Sequence, residues 1–458
     1  MSWRKVKLGD ILTESKVESE EYDPDRRITV RLNFKGVEKR PFEKGVEGGT
    51  KYYVRKAGQF IYGKQNLFKG AFGLVPQELD GFESSQDIPA FDIDKKCLPE
   101  WLIYFLRQGN FYQSLESIAT GTGSRRIQPS RLFEVEIPLP SLNDQQEVIK
   151  KIQEIEGRYT LLDVELDKQQ AYLRMLYQTI LKEAVEGKLT KQDPTDEPAT
   201  ELLKRIIADK KVQIKAGKLK KEKGLPPISE DELPFELPRG WVWVRFGEIC
   251  HNVDYGTSEK ATEMGEIPIL RMGNVHEGKV VLTNLKYVKR GIKDLPRLFL
   301  KNGDLIFNRT NSYELVGKCG IYEGIDNIYT LASYLIRVSV PKQFILTEYV
   351  NFYINSNICR LTQIEPQITQ QTGQANFSGS KLKSILFPLP PFLEQQRIVS
   401  KAQQLQKQLS QLEAQVQQSR RYAQQLFQSV LREAFSQNSK SYKKEYKELS
   451  TIAVKDTI

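Results

Sequence analysis

Three stretches of this sequence come close to patterns that hold a phosphate, a methyl donor or a metal. Gly58-Gln59-Phe60-Ile61-Tyr62-Gly63-Lys64-Gln65 has the glycines and the lysine of a phosphate-cradling loop. Such a loop needs Ser or Thr after the lysine to bind magnesium and an unobstructed backbone between the glycines. Here Gln65 follows the lysine, and the intervening residues are bulky and apolar. Leu389-Pro390-Pro391-Phe392 has the Pro-Pro-aromatic part of an amino-methylating site, but Leu389 stands where a polar carbonyl would hold the amine. No Gly-rich cofactor loop precedes it. His251, His276, Cys97, Cys250, Cys319 and Cys359 show no metal-ligand or redox spacing, and no nucleophile pattern accompanies the histidines. The sequence predicts a chain that is not an enzyme by itself, with no metal and no cofactor of its own.

Recognition is the chemistry that remains. The 458 residues are 39% hydrophobic, 10% aromatic and 28% charged, enough for two or more globular units with real cores. Lys and Arg number 68 against 58 Asp and Glu, a net charge of +10 that favours a polyanionic partner and makes nucleic acid the first expectation. Four isolated cysteines suit a reducing compartment. No stretch approaches 18 apolar residues, and Met1–Lys16 has no apolar core of a signal peptide, so a cytoplasmic chain without membrane contact is expected.

The elements that must position the recognition residues repeat. Residues 122–187 align with 372–437 at a constant offset of 250: Thr122-Gly123 with Thr372-Gly373, Pro138-Leu139-Pro140 with Pro388-Leu389-Pro390, and Gln145-Gln146 with Gln395-Gln396. Upstream, Trp3–Ile11 matches Trp241–Ile249 at offset 238, and Gly58–Asn66 matches Gly303–Asn311 at offset 245. The drifting offset confines insertions and deletions to the leading part of each half, its head. The duplicated module opens with a strand ended by proline, which blocks the ladder, so a helix must start there. Apolar residues then recur every three or four positions: Ile152, Ile155, Tyr159, Leu162, Leu166, Leu173, Leu176 and Ile180 in one copy, Leu405, Leu409, Leu412, Val416, Leu426 and Val430 in the other. A 3.5-residue period over about 40 residues predicts two coiled-coil helices, with Gln169 and Ser419 as polar seam positions that fix register. Paired antiparallel, they acquire an approximate twofold axis.

The expected organisation is a first head over 1–143, a coil helix over 144–187, a linker with a short helix over 188–240, a second head over 241–393, a second coil helix over 394–437 and a polar tail over 438–458. Aromatic and β-branched runs mixed with helical stretches make each head α+β. Nine basic against three acidic residues over 200–224 read as a solvated, mobile segment that could add phosphate contacts beside DNA.

These features together resemble the specificity subunit of type I restriction-modification systems over essentially the whole chain. The resemblance rests on the duplication, both proline-to-Gln-Gln helix starts, the helix end Ile180–Thr190, the central Asp193–Ile206 and the opening of the second half, Glu236–Ile249. It implies two target-recognition domains joined by an antiparallel two-helix coil. It also implies docking on a split double-stranded DNA site, one head per half-site, with two methyltransferase subunits and motor-nuclease restriction subunits as partners. S-adenosylmethionine, ATP and magnesium would sit on those partners. The second copy departs from the first at Pro391, which replaces the helix-capping Ser141 that pairs with Asp144. A recognition part of another split nuclease-methyltransferase, or a coiled-coil scaffold that reads no DNA, remain open as alternatives.

Base-edge and phosphate contacts call for basic, amide or hydroxyl residues on head loops. The first head offers Arg31 and Asn33, then Lys64, Gln65, Asn66 and Lys69, then Ser124, Arg125 and Arg126. The second offers Arg271 and Asn274, then Asn308, Arg309, Thr310, Asn311 and Tyr313, then Gln374 and Asn376. Lys64-Gln65-Asn66 and Arg309-Thr310-Asn311 match in place but differ in identity, as two different half-sites would require.

Overall fold

The computed structural model describes residues 3–20, 23–41, 50–221, 224–371 and 373–435, so the tail at 438–458 and Lys223 of the basic run lie outside the described residues. The chain is α+β and divides into two compact units, residues 1–168 with 416–458, and residues 169–415.

In the first unit an antiparallel sheet runs in the order Leu12–Ser15, Ala90–Ile93, Phe60–Tyr62, Phe72–Leu74. Alternation does not mark its central strand, because Phe60, Ile61 and Tyr62 are all fully buried, between separate apolar clusters. The Gly58–Gly63 segment is therefore a sheet wall and not a loop open to a phosphate. Trp101, on helix Pro99–Arg107, is fully buried, donates from Nε1 to Pro138 O at 2.9 Å and meets Trp3 edge-on at 5.4 Å.

The second unit has a six-stranded sheet in which Asn252–Tyr255, Leu335–Ser339, Leu305–Asn308 and Cys319–Ile321 follow one another antiparallel. Gly278–Val280 then adds parallel to Cys319–Ile321. Helix Thr347–Asn355 packs in its core, with Tyr349 Oη donating to Pro388 O at 3.1 Å.

Both proline-ended strands are present, and each pairs antiparallel with the strand that opens its half: Glu136–Pro138 with Lys5–Lys7, and Leu386–Leu389 with Val242–Arg245. Proline is tolerated because these are two-stranded ladders, with an edge free of donors. The long helices Leu142–Val185 and Phe392–Ala434 follow at once. The first is capped as the sequence predicts, Ser141 Oγ accepting from Asp144 N at 3.3 Å and donating to Asp144 Oδ2 at 2.7 Å. One turn in, Gln145 is fully buried. Its amide oxygen accepts from Leu98 N at 2.8 Å, and its nitrogen donates to Lys96 O at 2.8 Å and Pro140 O at 3.0 Å. Gln395 makes the same three bonds in the second unit, to Leu346 N, Phe344 O and Pro390 O, at 3.0, 3.4 and 3.2 Å.

Along the helices, Ile152, Ile155, Leu166, Leu173, Ile180, Leu409, Val416 and Val430 are buried, and Tyr159, Leu405 and Leu426 are half-buried. Three expected seam residues differ: Leu162, Leu176 and Leu412 are 44%, 47% and 46% exposed. Gln169 and Ser419 are exposed too, so neither is a buried register device. The cause is visible in the spacing. Through the central stretch burial recurs every seventh residue, at Leu166, Leu173 and Ile180 and at Ala402, Leu409 and Val416. A two-position seam needs a second layer of partners, which Ile155 finds only because it joins the core of the first unit.

The linker also differs from expectation. Helix Ala199–Lys215 buries Ala199, Leu202 and Ile206 in the core of the second unit, and Lys210 Nζ donates to Gly247 O at 2.7 Å. Arg245 ties the following segment down, donating to Pro226 O, Pro227 O and Ser384 O at 3.2, 2.9 and 2.9 Å. Its salt bridge holds the Glu232 carboxyl below the usual range. Apolar positions every three to four residues outweighed the charge run, since Lys204, Arg205, Lys211 and Lys215 sit exposed on the helix's outer face.

Replacing Gln395 by Ala strands one buried N–H and two carbonyls and should cost about 2–4 kcal/mol in denaturant unfolding, whereas the exposed neighbour Gln396→Ala should stay within about 0.5 kcal/mol. Equal losses for the two would remove Gln395 from this role.

Candidate nucleic-acid interface

The first head gathers its candidates around the end of strand Phe60–Tyr62. Lys64 N donates to Asp87 O at 2.9 Å, and Lys64 O accepts from Ile127 N at 2.8 Å. The hairpin closed by the Thr120–Arg126 bridge is thereby fastened to the strand-end turn. Tyr62 Oη donates to Ile127 O at 3.0 Å, and burial raises its phenol, so it stays a protonated donor. With its amide oxygen facing the guanidinium, Gln65 accepts from Arg126 Nε at 3.2 Å and Nη2 at 2.9 Å. Asp87 Oδ2 lies 3.5 Å from Nη2. Lys64, Gln65, Asn66 and Arg126 thus share one patch.

Asn33 and Lys69 form a second group, joined by Asn33 N to Lys69 O at 3.0 Å, with Asn33 at φ 57°. Asn is among the few residues that accept that conformation. Arg31 is engaged within its own hairpin by Glu38 at 2.5 Å. Arg125 folds back onto Glu116, with Nη1 to Oε1 and Nη2 to the backbone oxygen both at 2.8 Å. Ser124 is exposed in the hairpin turn.

In the second head the corresponding frame recurs. Arg309 N donates to Tyr334 O at 3.0 Å, and Phe377 N donates to Arg309 O at 2.8 Å. Thr310–Asn311 pairs with Gln374–Asn376, and Thr310 Oγ1 donates to Asn376 Oδ1 at 2.7 Å. Arg309 lies over the Tyr255 ring at 4.8 Å and donates to Ser333 O at 3.2 Å. Asn311 caps Ser312 N at 2.8 Å, Gln374 is exposed, and Tyr313 is 38% exposed with Arg360 5.3 Å from its ring.

Two proposed readers in this head are interior. Asn274 is 4% exposed, caps Arg271 N at 2.9 Å and donates to Val281 O and Thr283 O, each at 2.9 Å, so its amide is spent on the fold. Asn308 is 1% exposed, with only a 3.5 Å contact to Met272 O. Both are corrections to an expected exposed position: Asn274 serves the backbone of its turn, whereas Asn308 ends strand Leu305–Asn308 with its Oδ1 buried and unpaired. Arg271 is held by Asn284 O at 3.0 Å. Conversely, Asp87, Tyr255 and Tyr334 belong to these frames but are not among the residues expected from the sequence. Asp87 is acidic, and the tyrosines are legible only as exposed aromatics, 42% and 43%, beside a turn.

Elsewhere the titratable groups are occupied structurally. His251 Nε2 lies 3.1 Å from Asp209 Oδ2, and His276 Nε2 2.5 Å from Gly273 O. No cluster of metal-ligating side chains occurs among the described residues, and no described helix is long and apolar enough to cross a membrane. All four cysteines are buried, and burial pushes the Cys97 and Cys319 thiols up to about 12. A thiol reagent at pH 8 should therefore label none of the four in the native chain and all four in denaturant, with mass spectrometry as readout. Fast native labelling of Cys97 or Cys319 would contradict the packing.

Residues 238–419 match the family model for the type I restriction modification DNA specificity domain. The EcoAI type I restriction enzyme specificity subunit of Escherichia coli is 31% identical, over 74% of this chain and 63% of that protein. The EcoEI specificity subunit, also from Escherichia coli, is 33% identical over 62% of this chain and 48% of that protein. The chain thus spans 48–63% of the length of these relatives. One chain in a solved structure on the type I R-M system shares the fold, with a TM-score of 0.66 at 18% identity over 95% of this chain and 98% of that one. The chain is thus similar to type I restriction-modification specificity subunits, and its residues 238–419 match the DNA specificity domain of that family.

Proposed function

We propose that this chain is the non-catalytic DNA-reading subunit of a type I restriction-modification complex, each head recognising one half of a bipartite double-stranded site. The observation that carries this reading is one frame with different side chains. In each unit a hairpin is hydrogen-bonded to a strand-end turn, yet the residues displayed are Lys64, Gln65 and Arg126 in one and Arg309, Thr310 and Asn376 in the other. A common frame positions; different donors and acceptors discriminate. The matching Gln145 and Gln395 clamps support an internal duplication behind it.

The two long helices pair antiparallel in this reading. It is supported by Ile149–Tyr159 packing with Phe427–Phe435 in the first unit and Ile180–Val185 with Ile398–Ala402 in the second. Two methyltransferase subunits and the restriction subunits are its partners in the cytoplasm. They carry the S-adenosylmethionine, ATP and magnesium, since the near-motifs of this chain are sheet wall at Gly58–Gly63 and a strand-to-helix corner at Leu389–Phe392.

A binding selection on random double-stranded DNA should enrich two short fixed blocks separated by an unspecified gap. Exchanging Asn308–Tyr313 for the same stretch of another specificity subunit should alter one block and leave the other unchanged. Enrichment of no sequence would leave a scaffold; change in both blocks would refute independent heads.

A further inference from the structure

We propose that the couples Gln65–Arg126 and Thr310–Asn376 are the specificity-determining contacts of the two heads, Arg126 selecting a guanine in one half-site and Asn376 an adenine in the other. This rests on the DNA-reading function proposed above. Arg126 and Asn376 lie 250 positions apart in the aligned repeats, and Gln65 and Thr310 lie 245 apart in the upstream match. The backbone around each couple is the same: Ile127 and Phe377, the residues next in sequence, donate to Lys64 O and Arg309 O, both at 2.8 Å. What differs is the chemistry displayed.

In the first couple Gln65 engages Arg126 Nε and Nη2 along one side of the guanidinium. Nη1 has no partner among the described residues, and Nη2 also makes a long ion-pair contact with Asp87 Oδ2 at 3.5 Å. The side chain is 40% exposed, so the fork is oriented without being consumed. An arginine so held presents paired N–H groups to two acceptors, the O6 and N7 pattern of guanine in the major groove. Pre-orientation also lowers the ordering entropy lost on contact. In the second couple Thr310 spends its hydroxyl proton on Asn376 Oδ1 at 2.7 Å, which fixes the amide. Asn376 Nδ2 has no partner among the described residues, and Oδ1 keeps a second lone pair. One donor beside one acceptor matches N7 and N6 of adenine. Neither couple is explained by folding alone, since each leaves polar capacity of its outer member unused at a half-buried surface, the Nη1 of Arg126 and the Nδ2 of Asn376.

The experiment is a binding selection with the full chain, in the assembly in which it binds DNA, with thermal unfolding checked for every variant. Arg126→Ala should lose preference for guanine at one position of one half-site by roughly ten- to hundredfold, the other half-site staying as it was. Gln65→Thr with Arg126→Asn, which installs the second couple in the first head, should shift that position from guanine to adenine. Asn376→Ala should relax one adenine in the other half-site. Arg126→Lys keeps the charge without the fork. Preference lost with it as with alanine supports base reading, whereas parental selectivity with it, together with a uniform affinity loss for alanine, makes Arg126 a phosphate contact and overturns the assignment. Folded variants with unchanged base preference overturn it as well while leaving DNA reading intact. A parent chain that selects no sequence overturns the function itself, and the assignment falls with it.

Discussion

Everything that these heads display hangs on a buried glutamine. At the start of each long helix three problems meet: a proline-ended strand leaves a carbonyl unanswered, a head loop turns inward with an N–H and a C=O exposed to the core, and a helix must begin at a fixed angle. Gln145 and Gln395 answer all of them with one amide each, accepting one bond and donating two. No other neutral side chain combines that reach with both polarities. A buried amide so used is specific where an apolar residue would only be favourable, because any other register of strand against helix leaves polar groups without partners.

That clamp explains why the helices can be so sparsely apolar. Their ends are fixed by the unit cores, where Ile152 and Ile180 are buried, so the centre need only stay helical and loosely in phase. One buried residue per heptad there is supplemented by Arg420, which reaches Asp163 at 2.8 Å and Asp167 at 2.6 Å, and these carboxylates raise its affinity for the proton. Such exposed pairs contribute only about 0–1 kcal/mol, so they refine register more than they hold it. Leu162 and Leu176 are left on the flank, exposed, and nothing in the fold of this chain needs them there.

The sequence revealed the large-scale order well, because its two matching halves can be read against each other inside a single chain. Proline-ended strands, the Ser141 cap, both long helices and the short helix in the linker follow from local rules and hold. What failed shares a cause. Asn274 and Asn308 are buried while Gln65 and Asn376 are half-buried, and sequence alone cannot tell an amide enclosed by the fold from one left with open surface. The basic linker failed in the opposite sense: its charges dominate the composition, while three apolar residues, Ala199, Leu202 and Ile206, decide where it lies. Seam positions failed where helical period and burial separate, since period reports the face a residue occupies and not whether anything covers it.

This distinction also bears on which positions can change while the fold persists. In both heads the bonds that fasten the hairpin to the strand-end turn run through backbone atoms: Ile127 N to Lys64 O, Phe377 N to Arg309 O, and the N–H groups of Lys64 and Arg309 to the carbonyls of Asp87 and Tyr334. Backbone bonds are indifferent to side-chain identity, so Lys can become Arg, Gln become Thr, Arg become Asn and Asp become Tyr with the frame intact. Asn274 works the other way, because its side chain is itself the partner of the backbone. Substitution at Asn274 would strand two backbone carbonyls and a backbone N–H, while substitution at Arg126 strands no backbone group. A head built in this manner separates the residues that set its shape from those on which its shape does not depend, and freedom to vary lies where the fold asks nothing of the side chain.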